Sequence, residues 1–287
     1  MMRGAGAGAM LECNPLEVAR QQGYHFYVHL LRNLLILKNT KSQQFIALVR
    51  NIVVGLWYGI VYWQQTNYHS LASVTYFSQQ FITMSNLQAI PQMFAERALF
   101  YRERAAGFYS EAPYLLARCA VSAALQVVFA LVYSVLVYPM VGLRGGLFSE
   151  YFVFFYLIMF GLSLAGYAFS NFIAAITPNQ QSALNLYSSF FQFFMFFCGY
   201  SIPVHQAPLG WRWATQISFA RWSFESLVLN QFAGETDDDG AGGTYWLGYW
   251  GFDRATKWYA YFMFILCVAA FHLLALLMMK FVSFERR

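Results

Sequence analysis

Four lysines stand in this 287-residue sequence: Lys38, Lys41, Lys257 and Lys280, preceded by Leu37, Thr40, Thr256 and Met279. Holding a nucleotide's phosphates in a P-loop takes a glycine-rich turn that ends in Gly-Lys-Ser/Thr. None of the four lysines has that setting, so the sequence contains no Walker motif. His25, His29, His69, His205 and His272 have no recognisable nucleophile beside them, and no Gly-x-Ser-x-Gly turn occurs. His272 lies well inside an apolar run. There an imidazole is either functional or neutral and hydrogen-bonded to a neighbouring helix. Cys13, Cys119, Cys198 and Cys267 are far apart, and none sits in a Cys-x-x-Cys or a Cys/His pair with metal-ligand spacing. The last three lie in apolar runs and read as packing residues. No Asn-x-Ser/Thr acceptor appears, and no cysteine lies between Gln231 and Thr256 to staple that stretch. An enzyme, or a metal site, finds no support in these residues.

The densest chemistry is electrostatic. Glu96, Arg97, Arg102, Glu103, Arg104 and Glu111 crowd between Ala95 and Glu111. Such a cluster reads as a solvated turn, suited to charge-assisted contacts with a partner, or else as charges that pair with each other and fix topology. Gly107 would permit a tight turn there.

The elements that must position this cluster follow from composition. Hydrophobic residues make up 59% of the chain, aromatic residues 20% and charged residues only 11%, against about 25% charged in a soluble domain. So few charges cannot cover a water-facing surface, and lipid must solvate much of the chain. The net charge of +5 falls in short clusters between apolar runs, which fits membrane topology and not nucleic-acid binding.

Residues 1–14, alternating Gly and Ala at the start, lack the apolar core of a signal peptide and read as a disordered tail. Residues 15–44 mix Leu30, Leu31, Leu34, Leu35 and Leu37 with Arg20, Arg32, Lys38 and Lys41. They predict an amphipathic helix at the membrane interface, or a core helix of a soluble domain. Residues 45–287 then predict six spans, near 45–63, 71–94, 113–138, 151–176, 183–200 and 258–282. Arg50 lies near the start of the first, and Arg118 is placed to snorkel from the third. The second is unusually polar, with Ser73, Thr75, Ser78, Gln79, Gln80, Thr83, Ser85, Asn86 and Gln88. These side chains must face other helices or a wet cavity. Gly142, Gly145 and Gly146 mark a far-side turn, and Thr177-Pro-Asn-Gln180 a break on the near side. The stretch 202–232, with Pro203, Pro208, Trp211, Trp213, Arg221 and Glu225, reads as a re-entrant or interfacial hairpin. Residues 234–252, with Asp237, Asp238 and Asp239, read as an external loop. The basic residues, including Lys280, Arg286 and Arg287, place both termini on the cytoplasmic side.

Two segments resemble a known family. The run from Glu96 to Tyr109 (ERALFYRERAAGFY), followed by Pro113-Tyr114, is similar to the signature turn between the second and third spans of G-subfamily ABC transporters, the white and pleiotropic-drug-resistance group. Trp211-x-Trp213 with Ser218–Phe232 resembles the re-entrant segment before that family's external loop. Order, spacing and span count match from about Glu17 to the C-terminus. The resemblance implies that Glu96, Arg102, Glu103, Arg104 and Gly107 couple the membrane domain to an ATPase. It also implies that Phe81 and Met84 on the second span and Ser188, Gln192 and Met195 on the fifth line a substrate cavity at a dimer interface, with Tyr200 where the family has an apolar plug. A Phe stripe such as Phe190, Phe193, Phe194, Phe196 and Phe197 reads equally well as lipid-facing or core.

Members of that family carry a nucleotide-binding domain before the membrane domain in the same chain, and this sequence holds none. The expectation is therefore a permease that is not itself an enzyme and binds no cofactor. ATP and Mg would sit on a partner nucleotide-binding domain, and a second transmembrane domain would complete the path. It would export hydrophobic small molecules or lipids, most often across the plasma membrane. The rival expectation is a truncated, non-transporting chain that dimerises with complete transporters.

Overall fold

The structure, a computed structural model, describes residues 15–234, 242–252 and 256–282. It is helical throughout, with no strand among the described residues. In chain order the helices are α1 (Pro15–Asn39), α2 (Lys41–Val61), α3 (Tyr68–Met84), α4 (Ala89–Ala105), α5 (Glu111–Val141), α6 (Glu150–Ile176), α7 (Gln180–Phe196), α8 (Arg212–Ile217), α9 (Phe219–Phe232), α10 (Gly243–Trp250) and α11 (Lys257–Phe281).

Four of them, α2, α5, α6 and α11, are long and apolar enough to cross a membrane. Among these α6 is the hub. Its most apolar stretch is 67% buried, against 22% in α2, 28% in α5 and 22% in α11, and it touches α3, α4, α5, α7, α9 and α11. The other three keep apolar faces outward, where lipid is the solvent. Helix α2 lies on α5 through Ala47, Asn51, Gly55 and Gly59, a small-residue row at four-residue spacing that lets two backbones approach. Gly166 of α6 does the same for α3, since a Cβ there would meet the Thr83 carbonyl oxygen at 2.7 Å.

Side-chain caps start the helices where the sequence breaks. Ser149 Oγ accepts from the Phe152 amide, and Asn179 Oδ1 from the Ser182 amide. Both remove orphan donors from a helix N-terminus. The Thr177–Gln180 break is therefore real.

Several expectations are corrected. The predicted second span, 71–94, is not one helix: α3 ends at Met84, a 3-10 turn covers Ser85–Gln88, and α4 follows. Its polar groups recruit contacts from four sides and tighten that turn. The charge cluster is not a solvated turn either. It rides on α4 as far as Ala105, and only 106–110 are non-helical. Arg118 does not snorkel: it is buried and ion-paired. The second half of the expected external loop is helical, since α10 fills Gly243–Trp250 and ends on Gly251 at φ +82°. Where a hairpin is expected, α8 and α9 meet at Ser218, and every residue of α9 is buried. The first expected helix, 15–44, breaks at Thr40, so α2 starts at Lys41. The 1–14 tail, Cys13, Asp237, Asp238, Asp239, Arg286 and Arg287 lie outside the described residues. Cys119, Cys198 and Cys267 are free thiols. His272 bonds its own helix, at Val268 O, and not a neighbouring one.

Gly166→Ala should lower the melting temperature of the detergent-solubilised chain, because its Cβ meets backbone that cannot yield; overpacking of this kind costs about 1–3 kcal/mol. Gly23→Ala on exposed α1, where a Cβ meets nothing within 4 Å, should leave it unchanged or raise it, by up to about 1 kcal/mol. Equal melting shifts for the two would refute the close α3–α6 approach.

Candidate functional site

Polar groups of α3 and the turn after it are turned inward and bonded to four helices, while the Thr83 hydroxyl is buried with no hydrogen-bond partner. Ser78 Oγ accepts from Tyr133 Oη of α5 at 2.7 Å. Gln79 donates to Ala220 O at 3.0 Å and accepts from Ser223 Oγ at 2.8 Å, both on α9. Thr83 O accepts from Tyr187 Oη of α7 at 2.9 Å. Asn86 accepts from Gln126 of α5 at 2.5 Å, while its carbonyl accepts from Ser170 Oγ of α6 at 2.9 Å. Asn86 also donates to Ser163, which bonds Gln126 in turn. Each bond replaces water that a bilayer does not offer. The polar second segment thus faces neighbouring helices, as its composition requires.

Helix α4 carries the charge cluster as a belt that ties four helices together. Glu96 Oε2 accepts from Arg118 of α5 at 2.9 Å and from Tyr114 Oη at 3.3 Å. Arg97 donates to Thr177 O at 2.7 Å, at the C-terminal end of α6. Arg104 donates to Met279 O at 2.8 Å and Lys280 O at 3.0 Å, at the end of α11, and pairs with Glu111 at 2.8 Å. Glu103 pairs with Arg32 of α1 at 3.1 Å and accepts from Tyr109 Oη at 2.7 Å. Arginines at the carbonyl ends of α6 and α11 satisfy groups that a helix cannot satisfy itself and sit at the negative end of its dipole. The His29 ring stands edge-on to Tyr109 with centroids 4.1 Å apart. Burial, and secondarily Arg32, keep His29 below the ordinary histidine range. Burial, and secondarily the bond to Glu103, raise the Tyr109 hydroxyl.

Of the five residues expected to couple to an ATPase, Glu96, Glu103 and Arg104 are therefore engaged inside the protein. Arg102 and Gly107 are exposed, Gly107 at φ +74°, and Phe108 beside it is 64% exposed. The exposed part of the belt is this short end.

The six expected cavity residues do not converge on one cavity within a single chain. Met195 is fully buried, its sulfur 3.7 Å from Gln79 Nε2. Tyr200 shares a 2.7 Å hydrogen bond with Ser73 and stacks on Tyr76. Phe81 packs on Tyr133 and Tyr58. Met84 and Ser188 are half-buried and Gln192 is exposed. Asn185, Ser189, Gln192 and Phe196 form an exposed row along α7 at helical spacing. Of the Phe stripe, Phe194 is core while Phe190 and Phe196 are exposed.

A different cavity, of about 610 Å³, opens between α1, α2, α4, α5 and α6, and none of the six lines it. Arg50, Asn51, Gln88, Gln92, Gln126 and Ser163 are among its walls. Arg50, Asn86 and Gln88 are conspicuous in the sequence. Asn51, Gln126 and Ser163 escaped notice, and a lone amide in an apolar helix was the available signal.

Residues 24–232, most of the chain, match the family model described as ABC-2 type transporter. The chain belongs to the ABC-2 type transporter family. This ABC-2 membrane domain is 30% identical over 249 residues to ABC transporter G family member 53 of Oryza sativa subsp. japonica, which covers 82% of this chain and 17% of that protein. It is 30% identical over 257 residues to G family member 37 of the same plant, covering 84% and 17%. With pleiotropic drug resistance protein 2 of Nicotiana plumbaginifolia it shares 29% over 195 residues, covering 65% and 13%. The chain thus spans less than a fifth of the length of these relatives. The resemblance to G-subfamily transporters is borne out, as is an integral membrane domain.

Glu96→Ala strands the Arg118 guanidinium, whose side chain is 5% exposed. Removing one partner of a buried pair costs about 3–5 kcal/mol, so thermal unfolding in detergent should shift down sharply. Arg32→Ala breaks a pair whose side chains are 30% and 26% exposed, worth about 1 kcal/mol or less. Equal shifts in the two variants would refute the ranking.

Proposed function

We propose that this domain is the permease half of an ATP-driven exporter of hydrophobic small molecules or lipids. In this reading a second transmembrane domain completes its path, and ATP and Mg sit on a nucleotide-binding domain that works with it. The observation that carries the reading is the exposed row Asn185, Ser189, Gln192 and Phe196 on α7. Amides and a hydroxyl are unfavourable against lipid tails, so this face needs either a partner helix or a wet cavity. Helix α3 touches α7 and adds Phe77, exposed, with Phe81 and Met84 half-buried. A two-fold copy of these faces would enclose a space with aromatic and Met walls and a few amides. Flexible Met and flat aromatic rings suit loosely specified apolar molecules.

The crossing count in this reading is six. Besides α2, α5, α6 and α11, it takes α3 and α7, each 17 residues and so about 26 Å long, extended by the turns that follow them. The α8–α9 pair enters the membrane without crossing it. Helix α1 lies along the interface, with Tyr24, Tyr27, Leu31 and Leu35 outward. The charge belt and both termini are then cytoplasmic, and the plasma membrane is the expected address.

The belt explains how an ATPase would act at a distance. Arg102 and Phe108 offer a contact at the exposed end of α4, and α4 is bonded to α1, α5, α6 and α11. A push on that end would reach all four helices through discrete pairs and not through a flexible loop.

The test is recovery of an ATPase with the full chain from mild detergent, read by mass spectrometry. Arg102→Glu with Phe108→Ala should cut recovery several-fold without changing thermal stability, unlike Glu96→Ala. In transport assays with the ATPase present, Gln192→Ala should change substrate preference more than total expression. Recovery of complete transporters with no ATPase-dependent transport would instead identify a dimerising, non-transporting chain.

A further inference from the structure

Most buried or half-buried arginines here face a carboxylate: Arg118 meets Glu96, Arg221 meets Glu225, Arg104 meets Glu111 and Arg32 meets Glu103. Arg50 has none within ion-pair distance among the described residues. It stands nine residues after Lys41, the first residue of α2, and so about 13 Å along the helix from that end. A cation at that depth without a counter-charge costs several kcal/mol unless water or an anion reaches it.

The local geometry leaves room for an anion. Arg50 lines the cavity of about 610 Å³ between α1, α2, α4, α5 and α6, a size typical of small-molecule sites. One guanidinium nitrogen, Nη1, donates to Gln88 Oε1 at 3.1 Å. The Nε on the opposite edge is buried and has no hydrogen-bond partner. The Nε–Nη2 edge is the one through which arginine grips a phosphate with two parallel bonds. Among the described residues the other charges on the cavity wall are Glu96 and Arg118, which neutralise each other, so these side chains leave one net positive charge. Its lining is mixed, with Gln88 and Gln92 beside Ile46, Leu125 and Phe129. Ile46, Gln88 and Gln92 are exposed at its rim, so it opens sideways between α2 and α4. A ligand with an anionic head and an apolar body fits both parts of the wall. Basic pockets between membrane helices near the charged face hold phospholipid headgroups in this manner.

We propose that this cavity is a binding site for an acidic phospholipid of the leaflet on the side of the charge belt, its phosphate seated on Arg50. The site is distinct from the α3–α7 faces, and it stands on the cavity whether or not the chain transports. A lipid held there touches α1, α2, α4 and α5 at once and so bears on the position of the belt.

Native mass spectrometry of the full chain in mild detergent, titrated with phosphatidylglycerol or phosphatidylcholine of the same acyl chains, tests it. Phosphatidylglycerol should bind about tenfold more tightly, the worth of one charge-assisted pair. Arg50→Gln should bring it down to the phosphatidylcholine level, and Arg50→Lys, which keeps the charge but loses the two-bond edge, should fall between. Ser122→Phe, which fills the cavity from α5 and leaves Arg50 in the sequence, should abolish the preference as well and serves if Arg50→Gln does not fold. Arg32→Gln, outside the cavity, should leave the preference between the two lipids unchanged. No preference between the lipids, or a preference that survives both Arg50→Gln and Ser122→Phe, would overturn the site. Stabilisation by inorganic phosphate alone as large as that by the lipid would overturn the lipid as its occupant.

Discussion

Everything in this domain is arranged around one constraint: the polar side chains of α3 must find partners where there is no water. A 17-residue helix with Ser73, Thr75, Ser78, Gln79 and Thr83 buried cannot sit against lipid tails. It can sit only where α5 and α9 present partners to Ser78 and Gln79, α7 one to the Thr83 carbonyl, and α6 one to Asn86 of the turn that follows. Those bonds explain why α6 is the hub, why Gly166 must be bare, and why a 3-10 turn interrupts the chain at Ser85–Gln88. The turn lets Asn86 bond α5 and α6 at once, which a straight helix would place on a single side. A polar network of this sort specifies one packing, because any slip leaves groups unpaired in a low-dielectric interior.

The charge belt obeys the same rule at the ends of α6 and α11. Short polar connections alone would leave the C-terminal carbonyls of α6 and α11 to the solvent. Instead Arg97 and Arg104 reach them from α4, while Glu96 and Glu103 of the same helix hold Arg118 and Arg32. Successive side chains on one helix point in different directions, so alternating Glu and Arg along α4 reach different helices. The interactions most open to solvent, such as Arg32–Glu103, add little stability. The Glu96–Arg118 pair is the one whose loss would be felt, since its cost lies in the charge left behind.

How far this was legible in the sequence differs from element to element. Helices α2, α5, α6 and α11 could be read from length and apolarity alone, within a few residues. The inward-facing amides of α3 were legible because lipid leaves them no alternative. Helix α4 was not, because charge density was read as solvent exposure. Five charges in its seventeen residues look like a loop unless their partners, the carbonyls of α6 and α11 and the far-off Arg118 and Arg32, are in view, and those contacts span up to 176 positions. Helix α10 was hidden for a similar reason: glycines and acids before it suggested a loop, while Leu247 and Trp250 pack into the core. For the site, resemblance alone supplied Phe81, Met195 and Tyr200, and the structure gives each a neighbour inside the single chain. Only α7's open row keeps the character expected of a path.

Among the described residues, the α7 row and Arg50 stand open in the single chain, and they differ in what they lack. The row on α7 offers hydrogen-bonding groups of no net charge, at one-turn spacing, on a convex helix face. Such a face is completed by another helix or by a water-filled space shared with one, and its weak individual groups suit contacts that open and close. Arg50 lacks a counter-charge, and it lies in a concave space already walled by helices on several sides, so no further helix is needed there and only something small and negative will do. Convex and neutral against concave and cationic: the first calls for a second protein surface, the second for a ligand. Both lie on helices tied to α3 or α4, the first through α3 and the second across the mouth of α4. Occupancy at either place therefore acts on the same inner framework, and coupling between them has a route in the hydrogen bonds among Asn86, Gln126 and Ser163, which belong both to the cavity wall and to the α3 network.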